Sequence, residues 1–215
     1  MRLIAIRHGE TEWNIEGREQ GHLDSALTPR GIQQSRAVAE RLRRGRFSVL
    51  YSSDLGRAMQ TAEIISSVTG IRIMRDVRLR ERNMGIFEGL TKEEIAQNFP
   101  AEYSDYRRIG HGFRIPKGES GQERLERSIR VLNAIAERHP TETIVAVTHG
   151  GFLMGFFEHM LGVAPGNGWR FRRQHAAYNS FEYVDGVWKL ETWNETAHLD
   201  QIGSIEDPTV QAIAG

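Results

Sequence analysis

Leu3-Ile4-Ala5-Ile6-Arg7-His8-Gly9-Glu10-Thr11 decides how this chain is read. The apolar run Leu3 to Ile6, flanked by Arg2 and Arg7, reads as a short buried strand. It empties into a polar loop through Glu12, Trp13 and Asn14. The same pattern returns downstream. Val49-Leu50-Tyr51 ends at Ser52-Ser53-Asp54, Ile71 to Met74 give a third strand, and Thr143 to Val147 run into Thr148-His149-Gly150-Gly151.

Helical stretches fill the intervals. Thr28 is placed as an N-cap with Pro29 in the first helical position, and Ile32, Val38, Ala39 and Leu42 follow at helical spacing. A second helix spans about Leu55 to Thr69 and closes at Gly70. Thr91 with Glu94, and Ser120 with Glu123, form capping-box patterns; the latter opens an amphipathic helix carrying Leu125, Ile129, Leu132, Ile135 and Ala136. An apolar helix follows His149 to about Leu161. Asn179 to Val184 and Val187 to Trp193 alternate around Asp185-Gly186, a β-hairpin signal. Residues 98–117 give no clear assignment, and the tail from Glu195 has little periodicity. Strands alternating with helices predict an α/β fold with a mainly parallel sheet.

Composition narrows the function classes. The 215 residues balance 28 Lys and Arg against 28 Asp and Glu, so the chain lacks the basic field of a nonspecific nucleic-acid binder. Of the 28 cations 25 are Arg, the side chain suited to bidentate phosphate or carboxylate contact. Cysteine is absent, which removes disulfides, thiolate metal sites and a Cys nucleophile. The apolar run at the N-terminus is too short for a signal peptide or membrane span. A cytoplasmic protein without membrane association is expected. No His-Glu-x-x-His or His-x-His run marks a metal site.

In a parallel sheet, ligands bind beyond the carboxyl ends of the strands. That rule should bring Arg7, His8, Arg57, Glu81 and His149 to one edge. Two guanidiniums near a helix N-terminus favour a dianionic phosphate. A neutral imidazole can attack phosphorus, and a carboxylic acid can protonate the departing oxygen. Together these groups suffice for phosphoryl transfer without a metal.

Larger blocks carry a resemblance. Arg7-His8-Gly9-Glu10-Thr11 with Trp13-Asn14 comes first, then Gln20-Gly21-His22-Leu23-Asp24 and Leu27-Thr28-Pro29-Arg30-Gly31. Ser52-Ser53-Asp54-Leu55-Gly56-Arg57-Ala58, Leu79-Arg80-Glu81-Arg82-Asn83-Met84-Gly85 and Phe87-Glu88-Gly89-Leu90-Thr91 come next. Gly118-Glu119-Ser120 and Val147-Thr148-His149-Gly150-Gly151 complete the order. Over about residues 2–193 the chain resembles the histidine phosphatase superfamily, also called phosphoglycerate mutase-like.

The resemblance implies a three-layer α/β/α sandwich, one domain over 1–215 with residues 195–215 as a C-terminal tail, and no cofactor or metal. It implies that His8 attacks phosphorus and becomes a phosphohistidine. Arg7, Arg57 and His149 would hold phosphoryl oxygens, with Asn14, Gln20 and Gly21 adding phosphate contacts. Glu81 would protonate the leaving alkoxide and then help water attack. The family's other branch carries its acid just after the second His, where this chain has Gly150, Gly151 and Phe152. Glu81 should then begin protonated, with a raised pKa while a phosphate dianion lies beside it.

The expected function is a metal-independent phosphomonoesterase, a hydrolase acting on a small phosphate ester. A cofactor-dependent phosphoglycerate mutase is the alternative, and a non-catalytic phosphate-binding or interaction domain the second. The short interval between the acid block and the second His favours the phosphatase. Arg107, Arg108, Arg114, Arg170, Arg172 and Arg173, within segments 98–117 and 164–178, are candidates for substrate specificity, with Arg107, Arg108 and Arg170 put first. A homodimer is expected from the resemblance and from how commonly soluble proteins pair.

Overall fold

A computed structural model describes residues 1–165 and 170–202. Strands β1 (Arg2–Arg7), β2 (Val49–Ser52), β3 (Ile73–Arg75), β4 (Thr143–Thr148), β5 (Tyr178–Val184) and β6 (Val187–Glu195) form one sheet in the order β3-β2-β4-β1-β5-β6. Strands β1 to β4 run parallel, and β5 and β6 are antiparallel additions at one side. Asp185 and Gly186, at the hairpin tip, both take positive φ, 51° and 80°. A two-residue turn that matches strand twist requires this.

The helices are α1 (Glu12–Ile15), α2 (Pro29–Arg43), α3 (Gly56–Thr69), α4 (Lys92–Asn98), α5 (Pro100–Ile109), α6 (Gly121–Arg138) and α7 (Gly150–Met160). The local signals form as read. Thr28 accepts from Gly31 N, both capping boxes close, and Gly70 ends α3 in the left-handed conformation. Helix α3 has no side-chain cap of its own. Asp24, arriving from another loop, accepts from Gly56 N at 2.7 Å and Arg57 N at 3.2 Å instead.

Alternation along β1 splits the core. Leu3 and Ala5 face one layer with Val131, Leu132 and Ile135 of α6 and Phe152, Leu153 and Phe156 of α7. Ile4 and Ile6 face the other, with Val38, Ala39 and Leu42 of α2 and Ala58, Ala62 and Ile65 of α3. This is the three-layer arrangement. A separate small core, Met84, Phe87, Ile95 and Ile115 with Tyr103 and Tyr106 against it, closes an excursion between β3 and α6.

The sequence reading differs from the fold in three places. The loop after β1 contains α1, whose capping box pairs Thr11 with Asn14. Residues 98–117 hold α5 and a 3₁₀ turn at Gly110–Gly112, because Tyr103 and Tyr106 pack on Phe87. The third strand starts at Ile73, two residues later than read. Of the tail, Ala197–Ile202 forms a 3₁₀ turn with Leu199 against the sheet; residues 203–215 lie outside the described residues, as do 166–169 of the second specificity segment. Among the described residues no helix is long and apolar enough to cross a membrane.

Candidate active site

Adjacent strands β1 and β4 send their following helices to opposite faces of the sheet, α2 to one and α7 to the other. A crevice opens where neighbouring strands diverge in this way. The register pairs Arg7 with Thr148, so the next residues, His8 and His149, leave the sheet side by side. Their ring centroids lie 5.2 Å apart.

His8 is buried, and its Nδ1 lies 2.7 Å from Gly9 O. A carbonyl only accepts, so Nδ1 carries the proton and Nε2 keeps its lone pair. Burial holds the His8 pKa well below the usual value, and the charges of Arg57, His149, Arg7 and His175 push the same way. His149, fully buried, places Nε2 2.9 Å from Ser53 Oγ. That hydroxyl accepts from Leu55 N and can give its own proton to Nε2, the pairing in which Nδ1 carries the N–H. Among the described residues Nδ1 has no partner. Burial, then Arg57, keeps His149 neutral as well.

Arg57 is 1% exposed. Its Nη1 donates to Leu23 O and Asp24 Oδ1, and its Nη2 donates to Gly21 O at 2.8 Å. Nε is buried and has no partner among the described residues. The Nε–H and remaining Nη2–H share one edge of the guanidinium, the edge that grips two oxygens of a phosphate. Gln20 Nε2 donates to Thr11 Oγ1 at 2.9 Å, and that hydroxyl donates to Asn14 Oδ1. Asn14 Oδ1 also accepts from Thr11 N, so Nδ2 remains the amide's available donor.

Glu81 reaches the site from the excursion. Its Oε1 accepts from Arg82 N at 2.8 Å and its Oε2 from Gly151 N at 2.7 Å, the latter at the start of α7. A Cβ at residue 151 would lie 2.5 Å from Glu81 Oε1, so only glycine admits the carboxylate here.

His8, Asn14, Gln20, Gly21, Arg57 and Glu81 line a cavity of about 340 Å³, shared with Arg7, Trp13, Arg18, Glu19, Arg82, Lys92, Tyr106, Arg124 and Arg173. Its guanidinium and ammonium groups far outnumber its carboxylates, Glu19 and Glu81, a donor set that suits an anion rather than a metal cation.

A profile of the histidine phosphatase superfamily (branch 1) matches residues 3–196. The chain belongs to that superfamily. Among curated proteins this histidine phosphatase is 35% identical over 208 residues to "Phosphoglycerate mutase-like protein 4" of Arabidopsis thaliana, covering 95% of this chain and 89% of the relative. It is 33% identical over 207 residues to the "Metal-independent phosphoserine phosphatase" of the same plant, covering 95% and 85%. Among solved structures it resembles YhfR of Bacillus stearothermophilus with a TM-score of 0.86, 31% identity and coverage of 92% and 98%.

The structure brings Arg7, His8, Asn14, Gln20, Gly21, Arg57 and Glu81 of this histidine phosphatase to one cavity, with His149 against His8. Arg107, Arg108 and Arg170 do not line it. Tyr103 and Tyr106 turn the inner face of α5 toward Phe87, which leaves Arg107 and Arg108 exposed, Arg108 paired with Asp105. Arg170 is exposed too. Arg173 of the second segment does line the cavity, together with Arg82, Lys92 and Arg124. The raised Glu81 pKa is also corrected. Burial alone would raise it, but Arg124, the two backbone N–H groups and Arg57 outweigh burial and lower it.

Several residues escaped the sequence reading. Arg124 had a signal: it sits in the buried stripe Gly121, Arg124, Leu125, Ser128, Val131, Leu132 of α6, where an isolated arginine needs a reason. Gly155 gives it room, since a Cβ there would lie 2.4 Å from the guanidinium. His175, 5.7 Å from the His8 ring centroid, had none.

Proposed function

We propose that this chain is a metal-independent phosphomonoesterase that hydrolyses a small phosphorylated metabolite through a phosphohistidine. The observation that carries the reading is the His8 ring, buried, neutral and locked by Gly9 O with its lone pair on Nε2.

The chemistry follows from the donors around it. The Arg57 edge, Arg7, Asn14 Nδ2 and His149 Nδ1–H hold the phosphoryl oxygens and stabilise charge as it spreads over them. His8 Nε2 forms the bond to phosphorus while the bond from phosphorus to the ester oxygen breaks. Glu81 gives its proton to that oxygen. An arriving dianion supplies the like charge that drives Glu81 to take up that proton beforehand, against the donors that lower its pKa. Water then attacks phosphorus, Glu81 accepts its proton, and the nitrogen–phosphorus bond breaks. Gln20 acts through Thr11 by orienting Asn14, and Gly21 O anchors Arg57. Convergence of the full set supports an enzyme over a binding domain.

The reading includes a cytoplasmic homodimer of single-domain subunits, which light scattering on the purified protein tests. Activity is tested by incubating the enzyme with 3-phosphoglycerate, with and without bisphosphoglycerate. Release of inorganic phosphate supports the hydrolase. Conversion to 2-phosphoglycerate that depends on bisphosphoglycerate identifies a mutase and overturns it.

A further inference from the structure

Glu81 has two opposite parts in the reaction: it gives a proton to the ester oxygen, then takes one from water. Its surroundings favour the second. Both of its oxygens accept from backbone N–H groups, those of Arg82 and Gly151. Such donors stabilise a carboxylate over the protonated acid.

Arg124 adds to them from α6. It lies in the buried stripe of that helix, 7% exposed, and its Nη1 donates to Gly151 O. Gly151 therefore joins two groups: its carbonyl takes a hydrogen bond from Arg124, and its N–H gives one to Glu81 Oε2. Glycines make room for the arrangement. A Cβ at residue 155 would run into the Arg124 guanidinium, and one at residue 121 into the ring of His111. That ring accepts at Nε2 from Arg124 Nη2, 3.4 Å away, so its contact with the guanidinium adds no negative charge.

Among the described residues Arg124 makes no ion pair, and an arginine keeps its charge when buried. Beyond burial, the charges of Glu81, Arg82, Glu158 and Glu119 act on it, that of Glu81 most strongly. Arg124 is in turn the charge that acts most strongly on Glu81, ahead of Arg57.

We propose that Arg124 is a positioning residue for the second half of the reaction: through Gly151 and through its charge it holds Glu81 as a carboxylate once the alcohol has left. The inference rests on the phosphomonoesterase reading and assigns a residue to its hydrolytic step. In that step the water oxygen bonds to phosphorus and its proton passes to Glu81. The nitrogen–phosphorus bond breaks, its electron pair returns to His8 Nε2, and inorganic phosphate leaves. Without the Arg124 charge, burial favours the protonated carboxyl, which can serve the first step but cannot take the proton of water.

Rapid-quench labelling with ³²P-labelled p-nitrophenyl phosphate separates the two steps, because nitrophenolate leaves without a proton and only loss of the label needs the base. Arg124→Gln keeps a donor for Gly151 O and removes the charge. It should become labelled at close to the unaltered rate and lose the label about tenfold or more slowly, the change expected of one unit or more in the pKa of Glu81. Arg124→Lys keeps the charge and should lose the label at close to the unaltered rate. Each rate constant is read on the molecules that react, so a smaller folded fraction does not alter it. Label lost from Arg124→Gln as fast as from the unaltered enzyme overturns the proposal. So does equal slowing of labelling and loss, or an Arg124→Lys enzyme as slow as Arg124→Gln. Labelling and phosphate release by the unaltered enzyme report on the hydrolase reading alone. Their absence overturns both readings, whereas their presence with unchanged loss of label in Arg124→Gln overturns only this one.

Discussion

At the sheet end of the cavity, the reactive groups are held by backbone atoms: His8, just past β1, by Gly9 O, Arg57, in the first turn of α3, by Leu23 O and Gly21 O, and Glu81 by the N–H groups of Arg82 and Gly151. At the opposite end, Glu19, Lys92, Arg82 and Tyr106 stand on a loop, a short helix and the excursion packed around Phe87. The first end presents donors already aimed at a tetrahedral anion, so little reorganisation is needed when the phosphate arrives. The second presents charges on short elements, with Arg82 held by the carbonyls of Glu119 and Phe113. The excursion contributes to both ends, through Glu81 at the first and Arg82 and Tyr106 at the second.

Substitutions at the two ends should therefore fail differently. His8→Ala should lower kcat by at least about 10⁴-fold on every substrate, since no other group lies ready to attack. Steady-state assays on aryl and alkyl phosphates check this, and retained turnover on either would break the assignment. Arg57→Ala should cost about 10² to 10³ in kcat, again regardless of leaving group. Glu81→Gln should instead depend on it: about 10²-fold or more on alkyl phosphates, and much less on p-nitrophenyl phosphate, whose oxygen needs no proton. Equal losses on both would place Glu81 outside proton transfer.

The same burial that readies His8 and His149 sets a pH cost. Their folded pKa values lie well below 6.5, while unfolded histidine titrates near there. Below about pH 6.5 the unfolded chain binds protons that the folded one refuses, so stability is full above that pH and is lost as pH falls toward the depressed values. Thermal melts from pH 7.5 down to 5.5 should show Tm falling, and falling less steeply in His149→Phe. The smallest effect belongs to the outer arginines. Arg107→Ala and Arg108→Ala should leave kcat/KM within about twofold, as exposed substitutions generally do; a large change at either would bring α5 into the substrate site.

What the sequence made legible was set by local chemistry or by strand order. Thr28 with Pro29, Gly70, both capping boxes and Asp185-Gly186 each specify a backbone conformation within a few residues. Once the strands were ordered, the meeting of His8, Arg57, Glu81 and His149 followed. Other features depend on distant contacts. Which face of α5 turns inward depends on Phe87, so Arg107 and Arg108 could not be sorted from spacing alone. The resting charge of Glu81 depends on Gly151 N and Arg124, both brought by later helices. Glu19 meets Lys92 only through a backbone clamp between two loops.

The most direct test of the central claim is rapid-quench trapping of the enzyme with a ³²P-labelled substrate, followed by peptide mapping. The account predicts label that is stable to alkali and lost in acid, on the peptide carrying His8, and absent from His8→Ala. Label on another residue, or full turnover with no phosphoenzyme at any time point, would contradict it.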